Sequence, residues 1–532
     1  MKARPFLAAV LAAALALLSC GGAAWWFLLQ RGPLALQTRP LELPYAARFV
    51  PRTAPLSLHW LVGPEQFGAY ARAVAPPRQR REAAAALERL RDGAFAAAGL
   101  DYASDLAPWL GDQTSLALLT PADAEGPPGW VLALRSRDSA GARRFLQRFW
   151  QVRSLAGTDL QISSYRGMGL ISGRGALLGQ QPQPLATALI NDDLVLIASG
   201  RGVLEQALDV SQIDELNQAA SPALLQATAS LGQGVALLTA RPEAMRQWLG
   251  LPLPSSDDLS ELVAALRPAG RGLRLEALAR LRNPLPDLPA GAADQLLAAL
   301  QVPARSLALI SDPATLLSPA EPDATPWQRL LGPVLSQALT QADGPLPALV
   351  AGADPGPLLW VHQPQGWLLG TRTADPILEP VQQALAADGY SLSPLESRGR
   401  PLQVWTRLQS RPVKSNPDQL QAELAGAREL DGSWAWWGQG LAVLQQQHEG
   451  RQPPEQRLSQ LQALATPDAP FQWAMDAATA QALLPGWTPW RLLTTLSSTP
   501  LTPAVDGAAL SLERDPAEPR ALRLQALLQL GR

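Results

Sequence analysis

A long-range recurrence limits what this chain can fold into. The stretch Arg271-Gly-Leu-Arg-Leu-Glu-Ala-Leu-Ala-Arg-Leu281 returns as Arg520-Ala-Leu-Arg-Leu-Gln-Ala-Leu-Leu-Gln-Leu530, identical at seven of eleven positions and 249 residues later. Gly129-Trp130-Val131-Leu132, followed by Arg135 and Asp138, returns 237 residues later as Gly366-Trp367-Leu368-Leu369 with Arg372 and Asp375. The order of expected strands and helices recurs along with these residues, which a bias toward Leu, Arg and Ala does not by itself produce. Self-similarity of this kind marks a repeated folding unit. The chain therefore reads as two tandem modules, 54–283 and 303–532, joined by a proline-rich linker at 284–302. Roughly 500 residues after the N-terminal segment also exceed what one hydrophobic core organises.

Within each module, hairpins lead into helices and are followed by further hairpins. That order predicts α+β modules of mostly antiparallel sheet with helices packed on one face. The first strand, Leu56 to Val62, is too apolar on both parities for an exposed edge. A helix is expected from Arg78 to Ala98, with Leu87, Leu90, Ala94 and Ala97 inward and its arginines mostly off that face. Another runs from Ser139 to Val152 after the N-cap Asp138, with Phe145, Phe149 and Val152 as its inward stripe. Prolines 33, 40, 44 and 51 make 32–53 an extended stalk.

The N-terminus decides location. Phe6 to Leu29 carries no charged side chain, and at about 1.5 Å per residue such a helix crosses the roughly 30 Å hydrocarbon core of a bilayer. Lys2 and Arg4 precede it, which keeps the leading end in the cytoplasm and exports the body. Residues 1–31 thus read as a signal anchor, the transmembrane helix of the fold. A second reading stays open, because Leu17-Leu18-Ser19-Cys20-Gly21 is similar to a lipoprotein cleavage site, with Cys20 the lipidated residue. Against it, Leu18 is large for that site and the chain stays apolar through Trp25, Trp26 and Leu29.

Net charge is −2 with dispersed basic residues, which gives no support for a nucleic-acid partner. Cys20 is the only cysteine, so the body holds no disulfide and no thiolate metal site. His59, His362 and His448 are far apart in sequence, and no cofactor or metal is expected. Gly173 to Gly179 has glycines in a turn, but the spacing fits neither phosphate-binding fingerprint. Ser172 lacks the glycine two residues before it that a nucleophile elbow needs. Asp257, Asp258 and Glu261 read as acids at the start of a helix, and Asp192-Asp193 as a hairpin turn. Tryptophan is abundant, 17 against 8 Phe and 5 Tyr, and Trp434, Trp436 and Trp437 form an aromatic strand that serves as a binding face or as core.

Three stretches carry a family resemblance: Ala46-Ala-Arg-Phe-Val-Pro-Arg-Thr-Ala-Pro55, Trp109-Leu110-Gly111-Asp112, and Ile190-Asn191-Asp192 before Leu194-Val195-Leu196. Together they resemble a family of membrane-anchored cyanobacterial proteins known as domain-of-unknown-function family 3352. The resemblance implies an envelope or thylakoid setting and lends no catalytic residues. The expectation is a non-enzymatic, membrane-tethered binding or scaffold protein on the periplasmic or thylakoid-lumen side, with a protein partner there. Two alternatives remain. One is an envelope hydrolase, which needs a histidine beside a Ser, Asp or Glu in a pocket. The other is a lipid or pigment carrier, which needs an enclosed apolar cavity.

Overall fold

The computed structural model describes residues 32–120, 128–155, 157–175, 183–250, 258–288, 293–318, 324–372, 377–410, 420–450 and 452–531. Phe6–Leu29 lies outside them; among the described residues no helix is long and apolar enough to cross a membrane. The chain forms two compact units. The first holds the described residues through Thr239 together with 263–273 and 492–500, and the second holds 240–262, 274–491 and 501 onward.

The first unit contains strands β1 (Leu56–Trp60), β2 (Leu110–Leu119), β3 (Gly129–Ser136), β4 (Gln161–Tyr165), β5 (Met168–Gly175), β6 (Gln183–Ile190), β7 (Leu194–Ala198) and β8 (Ala236–Ala240). Its helices are α1 (Pro64–Val74), α2 (Arg80–Ala97), α3 (Ser139–Leu155), α4 (Arg201–Ser211) and α5 (Pro222–Leu231). Strand β1 lies between β8 and β2, and the sheet continues antiparallel through β3, β7, β6, β5 and β4. The turn between β6 and β7 holds Asn191 and Asp192 at positive φ, a backbone whose twist matches that of the flanking strands.

Helices cover both faces of this sheet, not one. Val131, Ala133, Leu194, Leu196 and Ala198 pack with Leu204, Ala207 and Leu208 of α4. The alternate residues Leu132, Leu134, Val195 and Ile197 pack with Phe145, Phe149 and Trp150 of α3. A central strand apolar on both parities requires this arrangement, because either uncovered face would expose continuous hydrocarbon to water. Trp150 takes the inward position read for Val152, which points to solvent. Residues 32–53 are not a free stalk either: their prolines bound two short turns, Pro33–Gln37 and Tyr45–Phe49, and Ala46, Phe49 and Val50 lie in the core beside α4.

Two strands, β9 (Leu259–Ala269) and β10 (Gly272–Leu281), follow β8 in the chain. In the second unit β11 (Ser306–Ile310), β12 (Leu358–Gln363), β13 (Gly366–Arg372), β14 (Ser391–Ser397), β15 (Arg400–Ser410), β16 (Leu420–Asp431), β17 (Trp434–Gly438) and β18 (Phe471–Asp476) repeat the same antiparallel scheme. The pairs β11–β12, β12–β13, β13–β17, β17–β16, β16–β15, β15–β14 and β11–β18 answer β1–β2, β2–β3, β3–β7, β7–β6, β6–β5, β5–β4 and β1–β8. The recurring Gly-Trp stretches open β3 and β13. Parts of 284–302 are packed rather than free: Leu285, Leu296, Leu300 and Val302 are buried, and the Trp327 indole donates to the Pro286 carbonyl at 2.9 Å. Asp258 does not cap a helix. It precedes a strand, Leu259–Ala269, and pairs with Arg329, whose Nη2 donates to Oδ1 at 2.9 Å.

Candidate functional site

The most specific polar constellation lies inside the first unit, where β8, β1 and β2 run side by side. Their register sets His59 opposite Ser115 and Ser57 opposite Ala117, all on one face. Gln218, from the segment between α4 and α5, reaches into the same layer. His59 Nδ1 lies 2.8 Å from Ser115 Oγ and Nε2 lies 3.3 Å from Gln218 Oε1. A carbonyl oxygen only accepts, so Nε2 carries the hydrogen and Nδ1 accepts from the serine hydroxyl. Ser57 Oγ donates to Gln218 Oε1 at 3.1 Å, Gln218 Nε2 donates to Thr239 Oγ1 at 3.2 Å, and the two hydroxyls of Ser57 and Thr239 are 2.7 Å apart.

This network fits structure better than catalysis. The imidazole is 0% exposed, and burial lowers its pKa to about 4 against a weaker upward pull from Gln218, so it is neutral at pH 7. A serine–histidine pair is present, but an amide stands where an orienting carboxylate would, and no substrate reaches it. Its hydrogen bonds satisfy polar groups that would otherwise be stranded in the core. The other histidines do not assemble a site. His362, in β12, packs against Trp360 with ring centroids 4.9 Å apart, and burial lowers its pKa against the opposing field of Asp343. His448 sits in the last turn of Leu441–Glu449. Ser172 is buried within β5. Among the described residues no His, Cys, Asp and Glu cluster suits a metal.

The second unit has its own buried ionisable group. Asp354 accepts from the Gly356 amide at 3.0 Å through Oδ1, while Oδ2 is buried without a partner. Burial pushes its pKa up to about 7; the Gly356 hydrogen bond opposes this, Asp312 adds to it, and Arg372 opposes it.

The aromatic strand is core. Trp436 and Trp437 are buried; Trp437 stacks on Trp405 with centroids 5.6 Å apart and donates to Thr371 Oγ1 at 3.1 Å, while Trp434 is half-buried at the strand's start. Trp436 and Trp437 have no free face for a ligand. Cys20 lies outside the described residues.

Two surface features with ligand character escaped the sequence reading. The first is an open groove of about 820 Å³ at the turn between α1 and α2, lined by Arg72, Arg80 and Arg81 with Pro33, Ala73 and Pro77. Arg80 Nε lies 3.4 Å from the Ala75 carbonyl, and none of these three arginines forms an ion pair among the described residues. Pro76-Pro77 was the available signal, because a turn there folds Arg72 back beside Arg80 and Arg81. The second is in the other unit. Trp248 is 44% exposed, and the carbonyl of the next residue, Leu249, accepts from the indole of Trp487 (38% exposed) at 2.9 Å.

These observations define an α+β protein of helix-covered antiparallel sheet, without an assembled catalytic constellation among the described residues. The chain belongs to the family described as "Protein of unknown function (DUF3352)", which it matches over residues 10–530. No curated protein matches it. Among solved structures it is similar to "Structure of crystal form I of TP0453" (TM-score 0.28, 9% identity, 48% of this chain and 85% of that one). It is similar too to "Structure of crystal form III of TP0453" (TM-score 0.26, 10% identity, 49% and 87%).

Proposed function

We propose that this protein is a non-enzymatic, membrane-tethered binding or scaffold protein. In this reading a duplicated α+β module is held by Phe6–Leu29 on the periplasmic or thylakoid-lumen side of a cyanobacterial membrane. The recurrence of strand pairings supports the duplication. The observation that carries the binding role is the exposed pair Trp248 and Trp487: large indoles held at the surface cost hydration unless something covers them. The occupant is a protein of the same membrane compartment, because tryptophan-rich patches are characteristic anchors of protein interfaces.

The test is crosslinking and affinity recovery of the full chain from native membranes, beside the Trp248→Ala/Trp487→Ala variant. One defined protein recovered with the parent chain and lost with the variant is the expected outcome. Recovery of the chain alone, or of the same partner by both chains, overturns the assignment.

A further inference from the structure

We propose that the groove lined by Arg72, Arg80 and Arg81 binds the phosphates of anionic lipid headgroups and so seats the first unit on the bilayer surface; this rests on the membrane-tethered reading above. Charge is the first argument. Three guanidinium groups converge on one open groove whose remaining lining is proline and alanine, and none of the three has a carboxylate partner among the described residues. Arg78, exposed in the same turn, likewise forms no ion pair among them. Guanidinium forks match phosphate oxygens bidentately, and a basic groove without internal counterions attracts an anion from solution or from a surface.

Position is the second argument and selects the source of the phosphate. Pro33 forms part of the groove wall and follows the end of the apolar run at Leu29 by four residues. Four residues span at most about 14 Å even when fully extended. With Leu29 at the edge of the hydrocarbon, the groove is therefore held within reach of the headgroup layer, which is several Å thick on each side. Apart from the arginines, the groove is lined by Pro33, Ala69, Ala73 and Pro77, which offer little insertion energy. The contact is thus electrostatic and superficial, and it weakens as salt rises.

The experiment places photoreactive benzoylphenylalanine at Ala73 of the full chain. The chain is reconstituted into vesicles of equal parts phosphatidylcholine and phosphatidylglycerol, and the lipid adducts are identified by mass spectrometry. Phosphatidylglycerol adducts are expected to be enriched about fivefold over vesicle composition, falling to that composition in the Arg72→Gln/Arg80→Gln/Arg81→Gln variant. Vesicle flotation, which reports the anchor alone, is expected to be equal for both chains. Equal flotation with adducts that mirror the vesicle composition, or with no adducts, overturns the headgroup site and leaves the tether standing. Loss of flotation in the parent chain overturns the tether and the headgroup site with it. Displacement of the enrichment by millimolar soluble glycerol phosphate overturns the bilayer as the source, in favour of a free phosphate.

Discussion

The two units share one scheme of strand pairing and fill it with different chemistry, a five-membered polar network in the first and a mostly apolar layer in the second. In the first, the inner strands carry Ser57, His59, Ser115 and Thr239, closed by Gln218 into a buried polar network. At the corresponding register in the second, Leu307 faces Val361 and Ala474, and Leu309 faces Leu359 and Gln472, whose amide donates to the Pro467 carbonyl at 2.9 Å. A Leu–Leu layer is stabilised by burial whatever its exact contacts, whereas the polar layer is stable only while every member keeps its partner. The pairing scheme therefore tolerates either core, and the polar core adds geometric selectivity to the first unit.

Substitution at His59 is the strongest way to break this comparison. His59→Leu imports the second unit's residue but strands the Ser115 hydroxyl and one contact to Gln218, so about 2–4 kcal/mol of stability is expected to be lost in urea unfolding. His59→Leu/Ser115→Leu, which copies the Leu309–Leu359 pair, is expected to recover part of that loss. Unchanged stability for the single variant would show that the network contributes nothing.

Acid tests the same layer without mutation. The folded pKa of about 4 lies below the ordinary 6.5, so between those values the unfolded chain binds a proton that the folded chain does not. The stabilisation is intact above pH 6.5 and is lost as pH falls toward 4, with a ceiling of about 3 kcal/mol. Hydrogen exchange of β1 amides is expected to accelerate over that range in the parent chain more than in His59→Leu.

Asp354 has the opposite sign in the second unit. Its folded pKa of about 7 lies above the ordinary 3.8, so the folded state holds a proton that the unfolded state releases. Stability contributed by this group falls as pH rises from 4 to 7 and stays low above that. Asp354→Asn keeps an acceptor for the Gly356 amide and removes the charge, so it is expected to stabilise the second unit by about 1–3 kcal/mol at pH 8 and to change little near pH 4. Equal effects at both pH values would refute the assignment.

The sequence disclosed what is local and repeated. Gly129-Trp130 and Gly366-Trp367 were found because they open corresponding strands, whose apolar residues must meet similar neighbours. The helix Arg80–Ala97 was legible in extent but not in facing: Ala94 and Ala97, expected inward, are exposed, and its buried residue is Ala84. The His59 network was not, because its members lie up to 182 residues apart and each alone is an ordinary strand or loop residue. Asp258 was misread for the same reason. An acid after two serines suits a helix start, and nothing nearby announces Arg329, 71 residues on. The groove was missed because Arg72 was assigned to no element and Arg80 and Arg81 only to the surface of one helix, while the ligand character arises from the turn that joins α1 to α2.

The smallest expected effect sharpens the comparison at its centre. Ala133 of β3 pairs with Leu196 of β7, and at the matching register Gly370 of β13 pairs with Trp436 of β17. The second unit thus exchanges a methyl on one strand for room on the next: a Cβ on Gly370 would stand 2.7 Å from the Trp436 ring and 3.0 Å from Leu296 Cδ1. Gly370→Ala is expected to cost about 1–2 kcal/mol, since a buried indole on a rigid strand has little space to retreat. In Gly370→Ala/Trp436→Leu the added methyl meets a smaller side chain, as in the first unit, and its cost should vanish against the Trp436→Leu background. A coupling of at least about 1 kcal/mol between the two sites is the signature of the exchange. Strict additivity would mean that Gly370 is glycine for a reason unrelated to Trp436, and that the two cores do not correspond at this layer.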